Sequence, residues 1–144
     1  MGIALDEARA AFEAGEVPVG AVISAGDGTI IARARNAMRS SSDPTAHAEI
    51  LVIREAARIL ASERLTDCNL HVTLEPCAMC AAAISFARIR RLYYGAEDEK
   101  QGAVDNGPRF YNSDACHHVP EVYGGICECE AADLMRRFFS ERRR

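Results

Sequence analysis

The sequence predicts an α/β sandwich built around a mixed sheet. Three observations carry that expectation. Amphipathic helical stretches alternate with short apolar runs, Gly, Asp and Pro mark the turns between them, and no repeat or linker divides the chain. With 144 residues, 49% of them hydrophobic and 26% charged, the chain reads as one compact domain over 1–144. It is too apolar and too weakly charged for intrinsic disorder. A net charge of −4 argues against a protein that coats nucleic acid without selectivity.

Taken in order, residues 3–14 have the apolar spacing of an amphipathic helix and stop near Gly15. Residues 17–23 (VPVGAVI) read as a strand, and the Gly26-Asp27-Gly28 cluster turns it into a second strand over 29–34. A loop rich in Ser, Asp and Pro covers 36–45. Residues 46–61 are helical, with Ile50, Ile53, Ala57 and Leu60 along one face. A third strand is expected over 70–74, a helix from Pro76 to residue 87, and a fourth strand over 89–94. The stretch 95–119 is aperiodic and long for a compact domain, which makes it a candidate for substrate contact. A short strand near Val122 and a last helix over 128–142 complete the chain.

The longest apolar runs are interrupted by charges such as Arg54 and Arg88, so no membrane span is expected. The opening residues lack the basic region of a secretory signal, which points to a reducing cytoplasm. There the six cysteines, at 68, 77, 80, 116, 127 and 129, are free or bind metal.

Two local patterns carry chemistry. Pro76-Cys77-Ala78-Met79-Cys80 is a C-x-x-C opened by proline, and His47-Ala48-Glu49 is an H-x-E. A lone C-x-x-C has a chance expectation of about a quarter here; proline before it and an H-x-E elsewhere reduce the joint expectation to roughly a few in a thousand. With Pro76 at the first helical position, Cys77 and Cys80 share the first turn, where the positive helix end favours thiolate. His47 and Glu49 also stand at a helix mouth, just after Asp43-Pro44-Thr45. Two thiolates and one imidazole suit Zn²⁺ and leave its fourth position open, which distinguishes a catalytic zinc from a structural one. Such a site activates water. Glu49, beside that water rather than on the metal, would carry its proton to a leaving group. That chemistry is hydrolytic deamination of an amidine-like ring, and H-x-E with P-C-x-x-C is the signature of the zinc nucleobase deaminases.

The sequence resembles the bacterial tRNA-specific adenosine deaminases of the cytidine deaminase superfamily over most of its length. The resemblance is carried by residues 16–22 (EVPVGAV), Asn36, 43–49 (DPTAHAE), 73–80 (TLEPCAMC), Gly95-Ala96 and the tail 138–144 (FFSERRR). It implies a three-layer α/β/α fold with a mixed five-stranded sheet flanked by helices. It further implies one zinc per chain on His47, Cys77 and Cys80, Glu49 as proton shuttle, and Asn36, Val19 and Ala48 at the substrate. The implied reaction converts the wobble adenosine of a tRNA anticodon to inosine, in a homodimer with no organic cofactor. One segment departs from the family pattern: 103–118, through Cys116-His117-His118, is less apolar than usual. A deaminase of free guanine, cytosine or a nucleoside is therefore an alternative, and a structural-zinc RNA-binding module is another.

The tail has its own arithmetic. Residues 136–144 hold five arginines against one glutamate, a local +4 on a remainder of −8. Phe138, Phe139, Arg142 and Arg143 are the candidate RNA contacts, by ring stacking and phosphate pairing, with one of the two rings expected to pack inward. The bland alternative is a cationic helix end lying on its own dipole. Cys68 and His71 read as packing residues, Cys127 and Cys129 as free thiols too close in sequence to chelate zinc, and His117-His118 as a solvated loop pair.

Overall fold

The computed structural model describes residues 1–142. The chain forms α1 (Gly2–Glu13), β1 (Gly20–Ala25), β2 (Ile30–Arg35), α2 (Ala48–Leu60), β3 (Cys68–Leu74), α3 (Ala78–Phe86), β4 (Arg91–Ala96), a 3-10 turn at Phe110–Asn112, β5 (Glu121–Tyr123) and α4 (Glu128–Arg142). The strands build a mixed five-stranded sheet in the order β2-β1-β3-β4-β5. β1 runs antiparallel to both neighbours, while β3, β4 and β5 are parallel.

Strand alternation sends Ala21, Ile23, Leu70, Val72, Leu92 and Tyr94 into one cluster with Val52 and Ala56 of α2 and Ala81 and Ile84 of α3. A second cluster joins Leu5 and Ala8 of α1 to Ala131 and Leu134 of α4. The result is the expected three-layer α/β/α arrangement. Gly20 sets how closely α1 approaches β1: a Cβ there would collide with the Ala4 carbonyl and stand 2.6 Å from the Ala8 nitrogen. No helix among the described residues is long and apolar enough to cross a membrane.

Among the element starts that differ from expectation, four have a clear local reason. β1 begins at Gly20 rather than at residue 17, because Pro18 offers no N–H to a ladder and Val19 N–H turns back to the Val17 carbonyl. α2 begins at Ala48, with His47 as an extended N-cap. α3 begins at Ala78, so Pro76 precedes the cap and Cys77 is the cap itself. The backbone stays extended there because Cys77 makes an isolated β-bridge with Gly102. β4 starts two residues late, since Arg88 turns through the left-handed region and Ile89 N–H still reaches Ile84. These shifts matter because β3 and β4 both end beside the starts of α2 and α3, the usual place for a ligand in such sheets.

Candidate active site

His and Cys are poor N-caps, and neither His47 nor Cys77 makes a side-chain capping bond. Both have extended backbone torsions, which turn their side chains off the helix ends toward one another. His47 Nδ1 stands 3.7 Å from Cys77 Sγ and 3.5 Å from Cys80 Sγ. The three ligand atoms lie within 4.8 Å of one another, a group able to hold a metal ion. Cys80 is wholly buried, one turn into α3.

Electrostatics at the group are strongly skewed. The Cys77 thiol is drawn down to about 4, first by its hydrogen bond with Cys80 and then by His47, against the opposing effect of burial. Cys80 is pushed up by the same hydrogen bond and by burial. His47 is raised by its hydrogen bond with Cys77. Glu49, 4% exposed in the first turn of α2, has its carboxyl pushed up to about 7 by burial, with the Cys77 charge adding to the effect.

A cleft of about 940 Å³ opens over this group. His47, Glu49 and Cys77 line its inner end, and Asn36, Val17 and Val19 line it from the β1–α2 side. Asn36 is 5% exposed and supplies the cap that His47 does not: the Ala48 N–H donates to its Oδ1 at 2.7 Å. That bond leaves the Asn36 Nδ2 donor for the cleft. Ala48 itself is fully buried, is absent from the cleft lining, and meets the cleft only through its bond to Asn36.

The C-terminal helix shows which ring of the tail packs inward. Phe138 is 5% exposed and packs edge-on against Phe12, so it belongs to the core and not to a stacking surface. Arg142 lies 4.6 Å over the Phe138 ring and donates to the Gly15 carbonyl at 2.9 Å, which ties the helix end down. Arg143 lies outside the described residues. Phe139, 44% exposed, does line the cleft, together with Ala132, Met135, Arg136 and Ser140. These four were missed by reading the tail as a charge cluster; their spacing of three and four marks one helix face.

Other sequence readings also resolve. Cys68 packs in the core, and His71 stacks on Tyr93 with centroids 4.7 Å apart. Cys127 and Cys129 are exposed free thiols. Of the His117-His118 pair, only His117 is exposed. His118 is half-buried, with Nε2 2.8 Å from the Ile89 carbonyl, and His117 leans on Phe86. Two buried carboxylates hold main-chain amides, and the sequence offered Glu75 only as a helix-mouth carboxylate or one that orients something in the site. Glu16 accepts the N–H groups of Arg39 and Ser40, at 3.0 and 2.8 Å. Glu75 accepts main-chain N–H groups from the 98–106 segment.

The family model of the MafB19-like deaminases matches residues 1–141. The chain belongs to the MafB19-like deaminase family. This MafB19-like deaminase is 59% identical to the tRNA-specific adenosine deaminase of Agrobacterium fabrum, over 99% of this chain and 93% of that one. A solved structure from work on A-to-I editing by tRNA:A34 deaminases at the wobble position of transfer RNA superimposes with a TM-score of 0.91 at 59% identity, covering 93% of this chain and 96% of that one. The guanine deaminase of Bacillus subtilis superimposes with a TM-score of 0.64 at 33% identity, covering 98% and 90%. The resemblance read from the motifs therefore holds, and with it the cytidine deaminase-like fold.

Proposed function

We propose that this chain is a single zinc-dependent deaminase domain that converts the wobble adenosine of a tRNA anticodon to inosine, as a cytoplasmic homodimer. The observation that carries the reading is the meeting of His47, Cys77 and Cys80 with buried Glu49 at the inner end of an open cleft. Similarity to the tRNA-specific and tRNA:A34 deaminases supports the substrate. Phe86, 68% exposed, and Val119, 57% exposed, are large apolar groups on the outer surface that support a self-contact.

The donor set fits one zinc ion. With Zn–S near 2.3 Å and Zn–N near 2.0 Å, neighbouring donors of a tetrahedral site stand about 3.6 Å apart. The two sulfur-to-imidazole separations are 3.7 and 3.5 Å. When bound, the metal supplies Lewis acidity that brings a water's pKa toward neutrality. The protein's own groups do the rest. Glu49 carries two protons in turn, the first from the attacking water to the ring nitrogen and the second from the resulting hydroxyl to the departing amine; burial, which raises its carboxyl, suits it to that exchange. Asn36 Nδ2 and Val19 orient the purine, and Phe139 and Arg136 face the nucleotides beside it. Adenosine plus water gives inosine plus ammonia.

The test is an inosine assay by mass spectrometry on an anticodon stem-loop bearing a wobble adenosine, run beside free guanine, cytosine and adenosine. Inosine in the RNA is expected. Faster turnover of a free base than of RNA would select the second reading, which the likeness to guanine deaminase favours. Glu49→Gln should keep its zinc and lose turnover by about 10²-fold or more. Undiminished activity in that variant would exclude Glu49 as the shuttle.

A further inference from the structure

The cleft has a wall with no helix or strand in it. Glu97, Asp98, Lys100 and Gln101 belong to its lining, in the segment that follows β4. One carboxylate shapes this segment. Glu75 follows the last residue of β3 and is 2% exposed. It accepts the N–H groups of Asp98 at 3.1 Å, Val104 at 3.1 Å, Asp105 at 2.9 Å and Asn106 at 3.1 Å. The Asn106 side chain adds a fifth bond, from Nδ2 at 2.6 Å.

The two residues after Glu75 hold the same segment by their backbone. Ala103 N–H donates to the Pro76 carbonyl at 2.9 Å, and Cys77 bridges to Gly102. Gly102 can carry no side chain, since a Cβ would sit 2.7 Å from Glu75 Oε1. Tyr94 of β4 donates to the Asp105 carboxylate and secures the far end. Residues 75–77 thus grip the cleft wall and present a metal-ligand thiol within three positions.

The wall reaches far past the metal-ligand group. The cleft, about 940 Å³, continues to Arg136 and Phe139. Pockets of roughly 300–1,000 Å³ enclose whole drug-sized ligands, so a single base occupies only the inner end of this one. The 97–101 stretch therefore faces what surrounds the reacting base.

We propose that Glu75 is a positioning residue that fixes the 97–106 segment as the wall selecting a polynucleotide-borne base over a free one. The proposal rests on the deamination reading above. Glu75 borders the cleft, but both of its carboxylate oxygens are taken up by the 98–106 segment, so it acts through the main chain it holds.

Glu75→Gln tests this, because the amide keeps the shape but turns an N–H donor toward N–H donors. The first readout is hydrogen exchange: the amides of 98 and 104–106 should exchange about tenfold faster or more, with those of β1 and β3 unchanged. The second is kinetic. KM for the stem-loop should rise about tenfold or more, as for loss of a supporting partner, with kcat within about threefold and zinc still one per chain. Asn106→Ala removes one bond of the five and keeps the carboxylate. It should show the same pattern more weakly, and it serves if Glu75→Gln does not fold. Unchanged exchange at 98 and 104–106 in both variants would overturn the proposal, as would a loss confined to kcat. Failure of the wild-type protein to deaminate the stem-loop would instead overturn the deamination reading, and this one with it.

Discussion

Asn36 performs two tasks with two atoms, and substitution can separate them. Its Oδ1 accepts the Ala48 N–H at 2.7 Å in a buried setting, while the residue lines the cleft. Asn36→Ala leaves that N–H at the start of α2 without a partner, a loss of about 1–3 kcal/mol. For a chain of this length each kcal/mol moves the melting temperature by about 3 °C, so a fall of about 3–10 °C is expected. Asn36→Asp keeps the acceptor and replaces the Nδ2 donor with oxygen, beside Glu49. It should melt within about 3 °C of wild type yet lose deamination by about 10²-fold, because a substrate acceptor then faces a carboxylate. The assay pairs zinc-saturated thermal melts with stem-loop turnover. An alanine variant as stable as wild type would refute the capping role, and an aspartate variant of full activity would refute the donor role.

Three further outcomes follow from the packing. Gly20→Ala forces a methyl against the Ala4 carbonyl and within 2.7 Å of Glu7 Cβ, and separating α1 from β1 should cost about 3 kcal/mol, a melt lowered by about 10 °C. Phe138→Ala should cost about 3–5 kcal/mol through the buried ring, whereas Phe139→Ala should leave the melt nearly unchanged and weaken stem-loop binding in a fluorescence anisotropy titration. Glu16 has a pH signature: burial raises its carboxyl, but the Arg39 and Ser40 amides together outweigh that and hold it below 4.5. A depressed folded value means the contribution is full above about 4.5 and is lost as pH falls through the folded value, so Glu16→Gln should flatten the acid limb of the stability profile below about pH 4.5, measured by urea melts.

What was legible in the sequence was chemistry that depends on residue type and short spacing. His47, Glu49, Cys77 and Cys80 announce themselves because few environments call for that set, and the alternation of elements followed from apolar periodicity. Element starts were harder, since His47 and Cys77 are caps by virtue of where their side chains must go and not by capping propensity. Glu75 could be read as a helix-mouth carboxylate that orients something in the site, but what it holds was not legible. Its partners are main-chain N–H groups 23 to 31 positions later, and a backbone amide leaves no mark on the sequence. The tail was legible in part: one ring was expected inward, without saying which. Phe138 and Phe139 look equivalent as a pair, and their counted charge obscured the helix phase. Ala131, Leu134 and Phe138 share the buried face, and Ala132, Met135 and Phe139 share the cleft face. That spacing was in the sequence, and weighing it above charge would have separated the two rings.

The site's architecture follows from what its ligands give up. Two helices start with His47 and Cys77, members of the group able to hold a metal, and each lacks the side-chain cap that an ordinary first turn would have, a deficit of about 1 kcal/mol apiece. Each start is propped by a neighbouring loop. Asn36 caps α2, and its loop is closed by Ala37 N–H on the Ala46 carbonyl. The 97–106 loop braces the start of α3 through Gly102 and Ala103. Each loop, in turn, hangs on a buried carboxylate that takes up otherwise unpaired backbone amides, Glu16 for the first and Glu75 for the second. Both carboxyls are held below their usual range by those amides despite burial. The placement of His47, Cys77 and Cys80 thus rests in part on two acidic residues outside that group, and the loops so fixed are the same ones that line the cleft.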